Sequence, residues 1–276
     1  MEILHYPILS NFPELQHFCT TRHGGVSSGN YESFNLSPYT SDVAENQQAN
    51  IKLLAEELQI PAQKIIFPHQ THGNTVKIIN ADFLKLSEAD RIAFLEGVDA
   101  LITTIPSVCI GVTTADCVPI LLYDSVKKVI AVAHAGWRGT CSRIVENTVK
   151  LMQSNFGTSP SHIVASIGVS ISPEVYKVGV ELVEAFEKQG FPVEEIFIKR
   201  NNHQHIQGEN EHQNEHQNEL YLDLWKANKW LLIQNGVPEN QVEVAGICSY
   251  TNSNDYFSAR RLGLKSGRML SGLFLK

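Results

Sequence analysis

The sequence predicts an α/β domain with mixed sheets, on three observations. Short apolar runs rich in β-branched residues recur along the chain, and amphipathic helical patterns separate several of them. Two central runs, VPILLYD and VIAVAH, are joined by a connection at 124–128 that is short enough for a hairpin, so part of the sheet is antiparallel. No linker divides the 276 residues, and a chain of this length can bury one large core. We therefore expect a single domain.

The strand-like runs, in chain order, are FCTT, KIIF, TVKII, ALITT, VCIGVTT, VPILLYD, VIAVAH, HIVASIG, IFIK and VEVAGI. The first clear helix begins near Ser41 and Asp42, which are good N-cap residues, and ends before Pro61. Further amphipathic patterns follow at 144–152, 180–188 and 223–234. Each of these three ends near a glycine that suits a left-handed C-terminal position: Gly157, Gly190 and Gly236.

One segment does not fit the α/β pattern. Residues 202–219, NHQHIQGENEHQNEHQNE, are almost entirely polar and contain EHQN twice in tandem. This composition predicts a surface insert that is solvated or disordered, because it has little apolar surface to offset the entropy of ordering. If the insert were ordered, His212 and His216 have the i, i+4 spacing of one helix face and would offer a metal site.

Composition excludes several classes of function. A net charge of -7 and a pI near 5.9 leave no basic surface for a nucleic-acid backbone. The longest apolar runs are too short to span a membrane, and the N-terminus lacks the charged start of a secretory signal. The five cysteines form an odd, widely spaced set without a CxxC pair, which is typical of a cytoplasmic protein.

The residues most typical of catalysis are one cysteine and two histidines. Cys117, in GVTTADCVPILLYD, and His134, in VIAVAHAGWRGT, each stand at the end of a strand-like run and should lie on neighbouring rigid elements. His72, in HQTHGNTV, follows the run KIIF; it is preferred over His69 because strand alternation would separate the two and Gly73 allows close approach. Two imidazoles and one thiolate leave one tetrahedral position open, as in a catalytic zinc site. The alternative is a small buried cysteine and a core histidine.

Arginines near glycine-rich segments are candidates for binding an anion. Arg22 stands in TTRHGGVSSGNYESFNL, where several glycines expose backbone amides that suit phosphate or carboxylate. A plain surface turn would give the same pattern. Arg138, Arg260 and Arg261 are similar in kind, and each would equally serve as a structural arginine paired with Asp99, Asp116 or another carboxylate.

An ordered set of motifs extends this picture to a family. HQTHG with VDALITT, TTADCVPILLYD, AVAHAGWRGT, GVSISPEVYKVG, and CSYTNSNDYFSARR with SGR resemble the YfiH-like family, first described as multicopper polyphenol oxidases or laccase-domain proteins. The likeness runs from TTRHGGVSSG to the last residues. It implies one domain over residues 1–276, in a four-layer α/β/β/α arrangement.

The resemblance also implies an activity. Members of the family act as purine nucleoside phosphorylases with adenosine deaminase activity on adenosine, inosine and methylthioadenosine, with a catalytic zinc and phosphate as co-substrate. The zinc ligands implied for this chain are His72, Cys117 and His134, which match the QxHG, DC and HAGW motifs. The implied partners are therefore small molecules.

Two alternatives use the same three residues. A copper polyphenol oxidase is one, since two histidines and a cysteine also suit copper, which can displace zinc in vitro; the scarcity of clustered histidines opposes it. A metal-free cysteine hydrolase is the other, with Cys117 as nucleophile and His134 as base. A peptidoglycan-editing role, also linked to this family, would be compatible with the hydrolase.

Overall fold

The structure is a computed structural model that describes residues 2–200 and 219–276. The strands in these ranges are β1 (Ile3–Leu4), β2 (Leu15–Thr20), β3 (Ile65–Ile66), β4 (Val76–Ile78), β5 (Ala100–Thr103), β6 (Cys109–Thr114), β7 (Val118–Asp124), β8 (Val129–Ala135), β9 (Ile163–Ile167), β10 (Lys177–Val178), β11 (Phe197–Arg200), β12 (Glu219–Leu222), β13 (Val242–Val244) and β14 (Met269–Leu275). The α-helices are α1 (Pro7–Ser10), α2 (Ala44–Leu58), α3 (Glu88–Leu95), α4 (Trp137–Cys141), α5 (Ile144–Phe156), α6 (Glu181–Lys188), α7 (Val193–Ile196), α8 (Leu224–Gln234) and α9 (Ala259–Leu262).

The strands form two large mixed sheets and one small antiparallel sheet. The six-stranded sheet has the order β13-β9-β7-β8-β5-β4, and the five-stranded sheet has the order β1-β2-β14-β6-β3. Each large sheet combines antiparallel pairs with parallel ones, such as β13 with β9 and β3 with β6. The expected hairpin is confirmed, since β7 pairs antiparallel with β8 and Asp124 lies opposite Val129. The prediction of mixed sheets is therefore confirmed as well.

Three apolar cores separate four layers. Leu121 and Val132 of the six-stranded sheet pack against Ile110 and Leu273 of the five-stranded sheet. The opposite face of the six-stranded sheet packs against α5, α6 and α8, and the outer face of the five-stranded sheet packs against α2. Alternate residues of β7 and β8 thus enter different cores, which explains why these strands read as continuous apolar runs. The α/β/β/α order agrees with the arrangement that the family resemblance implied.

The chain changes sheets between β6 and β7. These strands follow each other closely in sequence, but β6 belongs to the five-stranded sheet and β7 to the six-stranded one. The crossing segment is 115–117, and Asp116 has a left-handed backbone with φ of 85°. Cys117 therefore lies at the seam between the two sheets. Sequence periodicity did not predict this crossing, because both strands are buried along their whole length and neither shows an alternation that would assign it to a sheet.

The helices agree with the sequence patterns, except that α2 begins two residues later than expected. Helices α5, α6 and α8 overlap the predicted segments, and the three glycines after them have φ of 66°, 74° and 88°. Helix α2 begins at Ala44, later than predicted, because the Asp42 carboxylate accepts hydrogen bonds from the Val43 amide, the Ser27 hydroxyl and the Asn35 amide. The predicted insert lies outside the described residues, except that Glu219 opens β12.

Composition led us to expect free cysteines and no membrane-spanning segment. All five cysteines are free thiols, at Cys19, Cys109, Cys117, Cys141 and Cys248. Within residues 2–200 and 219–276, no helix is both long enough and apolar enough to cross a bilayer.

Truncation of Leu122 tests the core beneath the helices. Its side chain in β7 is fully buried, so Leu122→Ala should lower the free energy of unfolding by about 2–5 kcal/mol through lost burial and a residual cavity. Leu264→Ala is the matched control, because Leu264 is 83% exposed and its loss should change stability by less than about 0.5 kcal/mol. Urea unfolding followed by circular dichroism measures both. Equal effects of the two substitutions would contradict the described packing.

Candidate active site and metal centre

The β7–β8 hairpin holds two of the three expected ligands. Pro119 lies opposite His134 and Val118 opposite Ala135, and this register continued by one pair puts Cys117 opposite Gly136. A Cβ at Gly136 would lie only 2.9 Å from Cys117 Sγ and 3.2 Å from His72 Cδ2. Glycine is needed there because any side chain would occupy the space between the cysteine and the histidine.

The structure brings His72, Cys117 and His134 together. Their ligand atoms all lie within 4.8 Å of one another, and the two imidazole rings have centroids 4.9 Å apart at 72°. Among residues 2–200 and 219–276 this is the one such group of histidine, cysteine or carboxylate side chains able to hold a metal ion. Donor atoms this close together are able to share one ion at the bond lengths of about 2.0–2.3 Å that zinc uses. The donor set therefore fits a zinc or copper ion.

His72 reaches the cluster from the loop between β3 and β4. Its backbone is left-handed, with φ of 62°. His69, the competing candidate, forms an isolated bridge to Glu96 and its Nδ1 lies 2.8 Å from that carboxylate. Its ring also stacks on Tyr39 at 4.0 Å. The expectation that strand alternation separates the two histidines was wrong, because the segment is an irregular loop and both histidines line the same cavity.

The charges of Cys117 and His134 are coupled. Burial would raise the pKa of the Cys117 thiol, but the adjacent His134 charge and hydrogen bonds from both imidazoles lower it below its usual value. Burial would lower the pKa of His134, but Cys117 and Asp99 raise it above its usual value. The metal-free protein thus favours a thiolate beside an imidazolium. The thiolate is the form that binds a metal ion or attacks an electrophile.

Asp99 is a residue of the site that sequence reasoning treated only as a possible partner for an arginine. Its carboxylate is fully buried and accepts a hydrogen bond from His134 Nδ1–H at 2.8 Å. Burial raises the pKa of Asp99, but His134 and backbone amides of the neighbouring loop lower it, so the group stays ionised. The sequence did contain a sign of this role, because Asp99 stands directly before the apolar run ALITT. A carboxylate buried at such a position needs a hydrogen-bond or charge partner.

A cavity of about 570 Å³ opens above the cluster, a size typical of small-molecule sites. Its polar lining includes Tyr176 and two arginines, Arg260 and Arg268. Asp116 connects this side of the cavity to the Cys117 turn, because its carboxylate accepts hydrogen bonds from Ser249 Oγ at 2.7 Å and from the Arg260 amide at 2.6 Å. Both carboxylate oxygens of Asp116 are thus engaged in holding the C-terminal segment.

The two arginines of the cavity differ in their surroundings. Arg268 is half-buried, donates to the carbonyls of Ser266 and Gly267, and interacts electrostatically with Cys117 and Asp116. Arg260 is exposed and its guanidinium lies 5.2 Å from the centre of the Tyr176 ring. Together they put positive charge on the wall of the cavity.

The structure does not bring Arg22 to this cavity. Its guanidinium donates to the carbonyls of Glu32 and Ser253, at 2.9 and 2.8 Å, and it is not among the residues that line the cavity. The glycine loop is also engaged, because the Gly25 and Val26 amides donate to side chains of the protein. The donor groups that suggested an anion site in the sequence therefore donate to atoms of the protein itself.

A family model described as "Multi-copper polyphenol oxidoreductase laccase" matches residues 16–276. The chain belongs to this family. The motifs that indicated the family in the sequence supply the His-Cys-His cluster and much of the cavity wall.

The family has relatives with named activities. The chain is 44% identical to a purine nucleoside phosphorylase of Bacteroides thetaiotaomicron, over 99% of this chain and 96% of that protein. It is 37% identical to adenosine deaminase RL5 from an unknown prokaryotic organism, over 94% and 93% of the two chains. Its fold is similar to the crystal structure of YlmD from Geobacillus stearothermophilus, with a TM-score of 0.84, 28% identity, and coverage of 98% and 94%.

Gly136→Ala tests the packing of the cluster. The added methyl group should push Cys117 and His72 apart and weaken the affinity for zinc at least tenfold, since the nearest sulfur would lie 2.9 Å away. Gly111→Ala is the matched control, because its Cβ would meet Leu270 Cδ1 at a similarly short 3.0 Å, between β6 and β14 and outside the cavity lining. Competition with a chromogenic chelator measures both affinities. Unchanged affinity in Gly136→Ala would contradict the described spacing.

Proposed function

We propose that this protein is a zinc-dependent purine nucleoside phosphorylase that also deaminates adenosine, with adenosine, inosine and methylthioadenosine as substrates. The observation that carries the proposal is the convergence of His72, Cys117 and His134 at one cavity of substrate size. Relatives that carry both activity names align with nearly the whole chain, which supports both reactions in one protein.

The three side chains would hold zinc and leave one coordination position open toward the cavity. When bound, zinc would supply Lewis-acid chemistry, polarising a ligand oxygen and lowering the pKa of water. The protein provides the setting for this chemistry. Asp99 orients His134 so that Nε2 faces the metal position, and the half-buried thiolate of Cys117 adds the negative charge that a dication needs.

Phosphorolysis also requires a site for phosphate, and we assign that role to Arg268, with Arg260 beside it. Both arginines line the cavity, and Nη1 of Arg268 is held by hydrogen bonds to the backbone carbonyls of Ser266 and Gly267. A fixed guanidinium costs little further side-chain entropy when it binds an anion. Phosphate would displace the purine from the ribose, which gives a free base and ribose 1-phosphate. Positioning of the two reactants is the main contribution that the cavity makes to this step.

A second candidate is the metal-free cysteine hydrolase, which one observation favours. Cys117, His134 and Asp99 follow each other as nucleophile, base and orienting carboxylate, and the His134–Asp99 distance of 2.8 Å suits a catalytic triad. A peptidoglycan-editing activity would use this arrangement. His72 is unexplained in that reading, whereas it is a ligand in the zinc reading, so we prefer zinc.

The copper oxidase suggested by the family description has less support. Multicopper oxidation requires several clustered copper sites, and the described parts of the chain contain one cluster of three potential ligands. Copper would still compete with zinc for this cluster in vitro, as the order of stability of divalent metal complexes requires.

Product analysis with adenosine tests the proposed function. Purified protein should form adenine and ribose 1-phosphate only when phosphate is present, and inosine and ammonia without phosphate. Both reactions should disappear on chelation of the metal and return with zinc. Cys117→Ala should lose both, while Cys141→Ala, which removes a half-buried thiol outside the cavity lining, should retain them. Turnover that survives complete metal removal would reject the zinc mechanism, and no turnover in any condition would favour the cysteine hydrolase.

Steady-state kinetics tests the assignment of phosphate to Arg268. Arg268→Gln should raise the KM for phosphate about 10- to 100-fold, the effect of losing a charged hydrogen bond, and leave phosphate-independent deamination within about threefold. Arg22→Gln should leave the KM for phosphate unchanged. The opposite result, with Arg22→Gln alone affecting phosphate, would return the anion site to the glycine-rich loop.

A further inference from the structure

One buried carboxylate contacts the segments of both histidines in the cluster. We infer that Asp99 is the positioning residue that sets the geometry of His72 and His134 before any metal binds, and that zinc affinity depends on it. The expected effect on zinc affinity rests on the proposed zinc site. The hydrogen bonds of Asp99 are present in the metal-free protein and do not depend on that proposal. Asp99 directly precedes β5, the strand that pairs with β8, and its side chain is fully buried.

Asp99 fixes His134 at two points. The Asp99 main-chain carbonyl accepts the His134 backbone N–H at 2.7 Å, and the carboxylate Oδ1 accepts His134 Nδ1–H at 2.8 Å. An ionised carboxylate can only accept, so Nδ1 of His134 must carry the proton that it donates. Nδ1–H is therefore fixed both in the neutral ring and in the imidazolium, and Nε2 is the nitrogen that gives up its proton to bind a metal ion. Carboxylates in this position are known to orient metal-binding histidines and to raise their basicity.

Asp99 also fixes the loop that carries His72. The carboxylate accepts three consecutive backbone N–H groups, from Thr71 at 3.3 Å, His72 at 3.0 Å and Gly73 at 2.7 Å. Successive amides that converge on one anion form a concave turn. His72 adopts its left-handed backbone, with φ of 62°, at the centre of this turn. This conformation is unfavourable for a residue with a side chain, so we assign its stabilisation to the carboxylate.

The same four hydrogen bonds explain why asparagine should not replace Asp99. An amide offers one acceptor oxygen and one NH2 donor group. Whichever way the amide is oriented, its NH2 faces donors: the Thr71 and Gly73 amides in one orientation, or the His134 ring and the His72 amide in the other. Asp99→Asn therefore breaks at least one of the two connections while it leaves the size of the side chain nearly unchanged.

Asp124 provides a matched control within the same hairpin. Its carboxylate is also fully buried and also accepts two backbone amides, from Val126 at 2.9 Å and Lys127 at 3.0 Å. It lies at the opposite end of β7 from Cys117. Asp124→Asn thus removes a buried carboxylate that stabilises a turn without touching the metal cluster.

The experiment measures zinc affinity and local structure in wild type, Asp99→Asn and Asp124→Asn. We expect Asp99→Asn to weaken zinc binding 10- to 100-fold, as loss of such a carboxylate does elsewhere, and Asp124→Asn to leave it unchanged. In the metal-free protein, at a pH where the His134 ring is neutral, long-range ¹⁵N correlation spectra should show its proton on Nδ1 in wild type and Asp124→Asn. Asp99→Asn should lose this signal, the hydrogen-exchange protection of the amides at 71–73, or both. Equal zinc affinity and equal amide protection in Asp99→Asn and wild type would overturn the inference.

The readouts separate this inference from the proposed function. A wild-type protein that binds no zinc would reject the zinc enzyme, while the His134 tautomer and the amide protection at 71–73 would still decide the role of Asp99. If Asp99→Asn fails to fold, the wild-type protein alone gives the answer. A metal-free His134 without a proton fixed on Nδ1, or unprotected amides at 71–73, would overturn the inference.

Discussion

Seven consecutive residue pairs join β7 to β8, and every residue of the two strands is buried. This pairing determines which side chains enter which core. A slip by one residue would exchange the faces of both strands and move apolar side chains from one core to the other. The same register sets Cys117 near Gly136 and His134, so the constraint that orders the core also orders the cluster. Chemistry at this end of the hairpin consequently depends on the packing along its whole length.

The site combines parts of the chain that are remote in sequence, and electrostatics explains how they coexist. Anionic groups at Cys117, Asp99 and Asp116 lie close to the imidazole of His134 and the guanidinium of Arg268. Each buried charge has a partner of opposite sign or several hydrogen-bond donors, which is the condition for keeping it inside the protein. The proposed zinc ion and phosphate would enter a site whose charges are already paired with one another.

Local patterns in the sequence were sufficient for some features of this structure and not for others. Local sequence patterns correctly predicted the strand ends near Cys117 and His134. They also predicted the three helices that are followed by a glycine, at Gly157, Gly190 and Gly236. The division of β6 and β7 between two sheets, and the convergence of the 71–73 amides on Asp99, depend on contacts between distant segments. Periodicity cannot report such contacts. Arg22 shows the converse, since its glycine-rich motif was real but its donors are used inside the protein.

The position of β14 has a consequence for biosynthesis. Of the strands that the structure describes, β14 comes last in sequence, yet it lies between β2 and β6 in the five-stranded sheet, and Arg268 directly precedes it. A nascent chain that has emerged only as far as β8 would hold the hairpin and the histidines but would lack the central strand of the second sheet and a wall of the cavity. Because contacts of such large sequence separation form late, the complete cavity should form only after residues 269–275 have left the exit tunnel.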